Sequence, residues 1–529
     1  MNEINVLEFL DDSARKFPKR IALRDLGEEI TYRNLQLLCG KLAVLIHEKT
    51  GGRTDAGRPI VVYIDRNIRS IISFLAIASS GNFYVPVDGT LPKERIQAIL
   101  STLQPALQID ARNREKEDEQ ILSFSKCLDK LNIQLASSEG KETVSFTVSE
   151  ELTQTELELL CSIRESMIDT DPLYSIFTSG TTGVPKGVLI SHRSVIDLVQ
   201  RFGEVFDFPE HPVFGNQAPF DFDVSVKDIY NSLYQGGTVV VIPKSYFVMP
   251  QSLLPYLDEN QVNVLIWAVS ALRIVHNFKL FDECVPASVK YIMFSGEVMP
   301  IRTLNYLKEY LPDTTYVNLY GPTEITCNCN YYIIDREFRE DEALPLGKSF
   351  PNTRVFLQDV DTEEKITEPG RQGEICVAGT CLALGYYAAY EQTQKAFVQN
   401  ADISAYTSLI YRTGDLGRYD EAGNLFYVSR KDHQVKHMGH RIELGEIELV
   451  VNALEQIRMA CCVFDEKKER LVLFYASAEA CDKEIRSAIR SKLPAFMMPA
   501  AFCHLEALPM SKHDKIDRKK LLEMADNVH

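Results

Sequence analysis

The chain alternates short apolar runs with stretches of helical period over its first part. Apolar positions between Val6 and Phe17 recur at helical spacing. Ile30, Thr31 and Tyr32 read as a strand, Leu35 to His47 as a second helix, and Ile60 to Ile64 as a continuous apolar strand. Further on, apolar strands are predicted at Thr238–Ile242, Val264–Ala268, Tyr291–Phe294 and Thr315–Leu319, separated by helix-length segments. That rhythm predicts an α/β domain with a largely parallel sheet, whose ligands would gather at the strand ends. Between Arg112 and Asp171 the sequence is charged and weakly periodic, and reads as surface helices and connections. Near the C-terminus, Met459–Phe464 and Arg470–Tyr475 flank a charged turn and read as a hairpin.

The pattern is broken most sharply at residues 173–192. There an apolar strand enters Thr178-Ser179-Gly180-Thr181-Thr182-Gly183-Val184-Pro185-Lys186-Gly187 and leaves as the strand-like Val188-Leu189-Ile190. Four hydroxyls, three glycines and one lysine suit a loop that cradles phosphate: hydroxyls and exposed amides donate to an anion, and Lys186 adds positive charge. A Walker-type loop requires lysine directly after its second glycine and a helix beyond, and this stretch has neither. The competing reading is a plain hairpin loop, which draws on the same residue types.

The 529 residues exceed what one core serves, so at least two domains are expected. Composition is ordinary for a globular protein, at 45% hydrophobic and 25% charged. With 57 basic against 74 acidic residues the net charge is −17, which argues against a nucleic-acid surface. The acidic start and the lack of a spanning apolar run predict a cytoplasmic protein with no membrane insertion. Twelve cysteines without a Cys-x-x-Cys pair suggest neither disulfide framework nor zinc site; Cys327, Cys329, Cys461 and Cys462 read as small buried residues.

Ser179-Gly180-Thr181-Thr182-Gly183-Val184-Pro185-Lys186-Gly187 resembles the signature of the adenylate-forming superfamily, which includes amino-acid adenylation domains of nonribosomal peptide synthetases, acyl-CoA synthetases and luciferases. The resemblance runs along nearly the whole chain. Asn216-Gln217-Ala218-Pro219-Phe220 and Phe294-Ser295-Gly296-Glu297-Val298-Met299-Pro300 are most similar to the free-standing D-alanine:carrier-protein ligases. It implies a large N-terminal domain of layered, mostly parallel sheets and helices at residues 1–431, and a small mobile α+β domain at 432–529, rotating about a hinge at Asp432. Ser429 stands where the family usually has glycine.

The resemblance also implies an ATP- and magnesium-dependent site. Thr178, Ser179, Gly180, Thr181, Thr182, Gly183 and Lys186 would hold phosphates. Tyr320 would stack on adenine, with Asn318 and Gly321 beside it; Thr323 would meet the α-phosphate, Glu324 magnesium and Asp415 the ribose hydroxyls. Tyr427 and Arg430 complete the nucleotide contacts. Lys515, in Met510-Ser511-Lys512-His513-Asp514-Lys515, falls on the catalytic lysine, with His513-Asp514 where the family commonly has Asn-Gly. Thr178, Lys186, Glu324 and Lys515 form the implied catalytic set.

Asp223 stands among apolar neighbours and by the resemblance pairs a substrate α-ammonium; its competing reading is a cap on the following helix. Phe222, Val224, Lys227, Ile266, Met293, Ser295, Gly296, Leu319, Cys327 and Asn328 would line the side-chain pocket. Ser295 replaces the cysteine of the D-alanine ligases, and Lys227 replaces an apolar residue. Lys227 has two readings: a lysine whose ammonium reaches solvent, or an inward cation meeting an acidic or amide substrate side chain. The expected activity is amino-acid adenylation followed by thioester transfer to the phosphopantetheine of a carrier protein in trans. The alternatives are an acyl- or aryl-CoA synthetase and, less favoured, a non-catalytic module.

Overall fold

The computed structural model describes residues 3–52, 54, 57–112, 121–137, 143–178, 185–431, 434–510, 516–526 and 528. The chain divides into two compact units. The first comprises Met1–Asp88, Gln104–Ile176 and Val188–Ser429; the second comprises Gly89–Leu103, Phe177–Gly187 and Arg430–His529. Among the described residues no helix is long and apolar enough to cross a membrane.

The first unit is built on two large sheets. In the eleven-stranded sheet, Thr315–Tyr320, Tyr291–Ser295, Val264–Ala268, Val213–Asn216 and Thr238–Val241 lie side by side as a parallel run. These strands are almost wholly buried, as expected for parallel strands covered by helices on both faces. The seven-stranded sheet centres on Pro59–Ile64 and Phe83–Asp88, also parallel and buried, with Pro172–Thr178 and Lys186–Ser191 beyond them. A smaller sheet pairs Thr353–Gln358, Gln372–Gly379 and Leu409–Tyr419 antiparallel.

Local chemistry sets the element ends. The helix Tyr32–Thr50 begins where the Thr31 side chain accepts the Asn34 amide, and it ends at Gly51 with φ 71°. The helix Val224–Gln235 ends at Gly236 with φ 60°, where glycine takes the left-handed turn and any Cβ would run into the Phe17 ring. The reading of 112–171 as helices and connections is incomplete. Gln134–Ser137 and Val144–Thr147 pair antiparallel at the edge of the eleven-stranded sheet. They are short, Gln134–Ala136 is exposed and Phe146 is the one buried residue of Val144–Thr147, so their hydrophobic period is faint.

In the second unit, Ile457–Asp465 and Arg470–Ser477 form the expected antiparallel hairpin, and Ala501–Leu505 adds to it in parallel. The helices Leu444–Asn452, Asp482–Lys492 and Arg518–Ala525 bury Ile447, Ile485, Ile489 and Leu521. Within this unit Arg95 and Glu446, both nearly buried, pair at 2.5 Å.

Candidate active site

The strand Thr315–Tyr320 delivers the first group of side chains. Asn318 donates through Nδ2 to the Pro345 carbonyl at 2.8 Å. Tyr320 is buried, and its hydroxyl donates to Asp415 Oδ2 at 2.6 Å. Burial and the neighbouring Asp415 charge push the Tyr320 phenol well above its ordinary range, so it stays a donor. Asp415 itself is buried in the strand Leu409–Tyr419, its amide bound to Thr413 Oγ1 at 3.0 Å.

The chain then turns through Gly321-Pro322-Thr323-Glu324. Glu324 has no exposed surface; its Oε1 accepts from the Tyr386 hydroxyl at 2.8 Å, and its carbonyl accepts the Ala383 amide at 2.9 Å. Thr326 and Cys327 follow with φ 57° and 73°, and the Cys329 amide bonds back to the Tyr320 carbonyl at 2.8 Å. Gly321 permits this fold-back, since a Cβ there would come 2.6 Å from the Cys327 carbonyl oxygen. The loop is thereby fixed to the segment 381–386, and the Thr326 hydroxyl donates to the Cys381 carbonyl at 2.8 Å. Thr323 is half-buried.

Below this loop lies the helix Val224–Gln235. Asp223 occupies its N-cap position, but its side chain makes no capping hydrogen bond, which removes the capping alternative. Asp223 is half-buried, and its carbonyl accepts from Cys327 Sγ at 2.9 Å. Four residues on, Lys227 has no exposed surface, so the solvent-reaching alternative is also removed. Its Nζ donates to Asn328 Oδ1 at 2.7 Å and forms no ion pair among the described residues. Burial pulls the Lys227 ammonium below its usual range, opposed by Cys327, Asp223 and Asp228.

Asp228 is equally buried: Oδ2 accepts from Asn216 Nδ2 at 2.9 Å, while Oδ1 has no partner among the described residues. Burial raises this carboxyl to about 7. Ile266, Met293, Leu319 and Cys327 are buried apolar neighbours in one core cluster, with Ile266 opposite Met293 and Ala268 opposite Ser295 in register. Ser295 is buried, Phe222, Val224 and Gly296 half-buried.

Other expected site residues fall elsewhere. Thr178 and Lys186 belong to the second unit. The Thr178 hydroxyl is buried without a partner among the described residues, so it fits an acceptor such as a phosphate oxygen. Lys186 is half-buried at the start of its strand. Arg430, also in that unit, donates to Gln434 Oε1 at 2.5 Å, and Tyr427 is half-buried in the strand Leu425–Arg430. Ser179, Gly180, Thr181, Thr182, Gly183, Asp432 and Lys515 lie outside the described residues. Among the described residues no group of three or more potential ligands gathers for a metal. A lone carboxylate such as Glu324 fits magnesium, which takes one or two carboxylates and fills its shell with phosphate oxygens and water.

Tyr386, Asn216 and Asp228 hold this site together without having been singled out by their residue pattern. Asp228 beside Lys227, the two charged residues of the helix Val224–Gln235, was the available signal; Tyr386, 62 residues from Glu324, carried none.

The profile of a family described as "AMP-binding enzyme" matches residues 10–387. A D-alanine–D-alanyl carrier protein ligase of Bacillus cereus (strain G9842) is 30% identical, over 98% of this chain and 99% of that protein. Tyrocidine synthase 1 of Brevibacillus parabrevis is 29% identical over 98% of this chain. The chain spans 45% of that synthase, and 9% and 13% of two further synthases. Among solved structures, holo-PA1221, an NRPS protein containing adenylation and PCP domains, superposes with a TM-score of 0.80 at 24% identity, over 98% of this chain and 84% of that one, and shares the fold.

Proposed function

The chain belongs to the AMP-binding enzyme family, and from there we propose that it is an AMP-forming amino-acid:carrier-protein ligase. In the first half-reaction a carboxylate oxygen of the amino acid attacks the α-phosphorus of ATP, and pyrophosphate leaves. In the second, the phosphopantetheine thiol of a separate carrier protein attacks the adenylate carbonyl, and AMP leaves. The observation that carries the amino-acid reading is Asp223: a half-buried carboxylate at the head of a helix that does not use it as a cap. A carboxylate so placed is suited to an ammonium group, whose positive charge offsets the desolvation of its own.

The chain's other residues supply position and charge. Tyr320 holds the Asp415 carboxylate, an acceptor-only group suited to a pair of ribose hydroxyls. Tyr386 donates to Glu324 and so orients its carboxylate, as hydrogen-bond donors behind metal-binding carboxylates do. Magnesium, when bound there, would neutralise phosphate charge that otherwise repels the incoming carboxylate. Thr178 and Lys186 would meet phosphate oxygens, and Lys515 would bridge the substrate carboxylate and α-phosphate. Two anions must approach each other in this reaction, so positioning and electrostatics account for most of the acceleration.

An acyl- or aryl-CoA synthetase shares the first half-reaction and differs in its acceptor. The test is to supply ATP, a panel of amino acids and either coenzyme A or a phosphopantetheinylated carrier protein, and to follow thioesters by mass spectrometry. An aminoacyl group on the carrier protein is expected. Coenzyme A thioesters with no carrier loading would overturn the reading.

A further inference from the structure

Lys227 is a cation in a place that disfavours cations. It has no exposed surface, its ammonium has three donors, and one of them is used, on the neutral Asn328 carbonyl oxygen. It forms no ion pair among the described residues. The nearby Asp228 spends Oδ2 on Asn216, and the side chains of Ile266, Met293 and Leu319 are apolar and buried. A buried ammonium with one neutral acceptor is strongly destabilising unless something completes its shell.

Asp223 and Lys227 are four residues apart on one helical face, about 6 Å along the axis. That span matches the reach of an amino acid from its α-ammonium to the end of a short side chain. Asn328 is held in place from the other side: Gly321 lets the loop fold back, and positive φ at Thr326 and Cys327 sets its course. The ammonium is therefore anchored at one hydrogen bond, with its remaining donors available to a ligand.

Resting on the amino-acid-ligase reading above, we propose that Lys227 selects the substrate side chain, and that the substrate is an α-amino acid whose side chain ends in a carboxylate. With the α-ammonium on Asp223 and the side-chain carboxylate on Lys227, the buried Lys227 ammonium gains an anion in direct contact. A carboxamide side chain would accept a hydrogen bond without neutralising the charge. A short aliphatic side chain would leave Lys227 with no anion in contact, only the more distant pull of Asp223 and Asp228.

The test is amino-acid-dependent ATP–pyrophosphate exchange with aspartate, glutamate, asparagine, glutamine, alanine and glycine, on the full chain and on Lys227→Met. The wild type should favour an acidic substrate over alanine by about 150- to 5,000-fold in kcat/KM, the range for leaving a buried charge without a contacting partner. Lys227→Met should lose that preference and favour a neutral substrate. The thermal midpoint of Lys227→Met without substrate should equal or exceed the wild type's, because the substitution removes a buried charge. Should Lys227→Met fail to fold, Lys227→Gln and the wild-type ranking carry the same test. Alanine or glycine exchanging faster than both acidic substrates overturns this inference and leaves the ligase reading standing. Exchange with no amino acid at all overturns the ligase reading, and this inference with it.

Discussion

Replacing Asp228 by asparagine should stabilise the first unit progressively as pH rises. The carboxyl has no exposed surface, and burial raises it from 3.8 to about 7, a shift of about 3 units. At about 1.4 kcal/mol per unit, the folded state loses roughly 4 kcal/mol when it must carry the charge. The folded state keeps its proton up to about pH 7, whereas the unfolded chain releases it near 3.8. Stability is therefore fully present below about pH 4 and is lost as pH climbs through about 7. Asparagine has no such dependence.

Lys227 offsets part of the gain, since it loses an attracting charge when Asp228 is neutralised. Between pH 5 and pH 8 the variant should gain about 2–3 kcal/mol on the wild type before that offset. The assay is urea unfolding at several pH values, read by the fluorescence of Trp267. This is the one tryptophan of the chain, fully buried in the same unit, its indole donating to the Gly215 carbonyl at 2.8 Å. A stability difference that is constant from pH 5 to pH 8, or that moves against the variant as pH rises, would show that Asp228 does not keep its proton in the folded state.

Tyr386→Phe removes the hydroxyl that donates to Glu324 at 2.8 Å. It should raise the magnesium concentration for half-maximal exchange by about 10- to 100-fold, the usual cost of losing a hydrogen-bond partner behind a metal-binding carboxylate. An unchanged magnesium titration would separate Glu324 from the metal. Lys515→Ala should cut adenylation by orders of magnitude while transfer from preformed adenylate suffers much less. Equal loss in both half-reactions, measured by rapid quench on folded protein, would contradict the assigned role of Lys515.

The interior strands were legible because burial on both faces writes itself as an unbroken apolar run. Val264–Ala268 matches the sequence reading end to end, and Ile60–Ile64 misses one residue, Pro59. Helices extended past their apolar stripes, as at Tyr32–Thr50, because the Thr31 cap and Gly51, rather than the last core residue, set the ends. The edge pair Gln134–Ser137 and Val144–Thr147 left almost no periodic trace, being four residues each with a single buried side chain, Phe146, among the described ones. Asp223 and Lys227 stood out as charges in apolar surroundings, but local sequence left each with two readings. A missing cap and a neutral partner 101 residues away decided between them. Such long-range pairings, like that of Tyr386 with Glu324, are set by the crossing of elements and have no local signature.

The account rests most directly on the α-ammonium that Asp223 is assigned to hold. The decisive measurement is ATP–pyrophosphate exchange with the preferred amino acid and with its des-amino counterpart, on the wild type and on Asp223→Ala. Exchange should require the amine. The Michaelis constant for the amino acid should rise by about two orders of magnitude in Asp223→Ala, from the loss of ~3 kcal/mol, the low end for a buried pair because Asp223 is half-buried, with that for ATP nearly unchanged. Equal exchange with the des-amino acid, undisturbed by Asp223→Ala, would contradict that assignment.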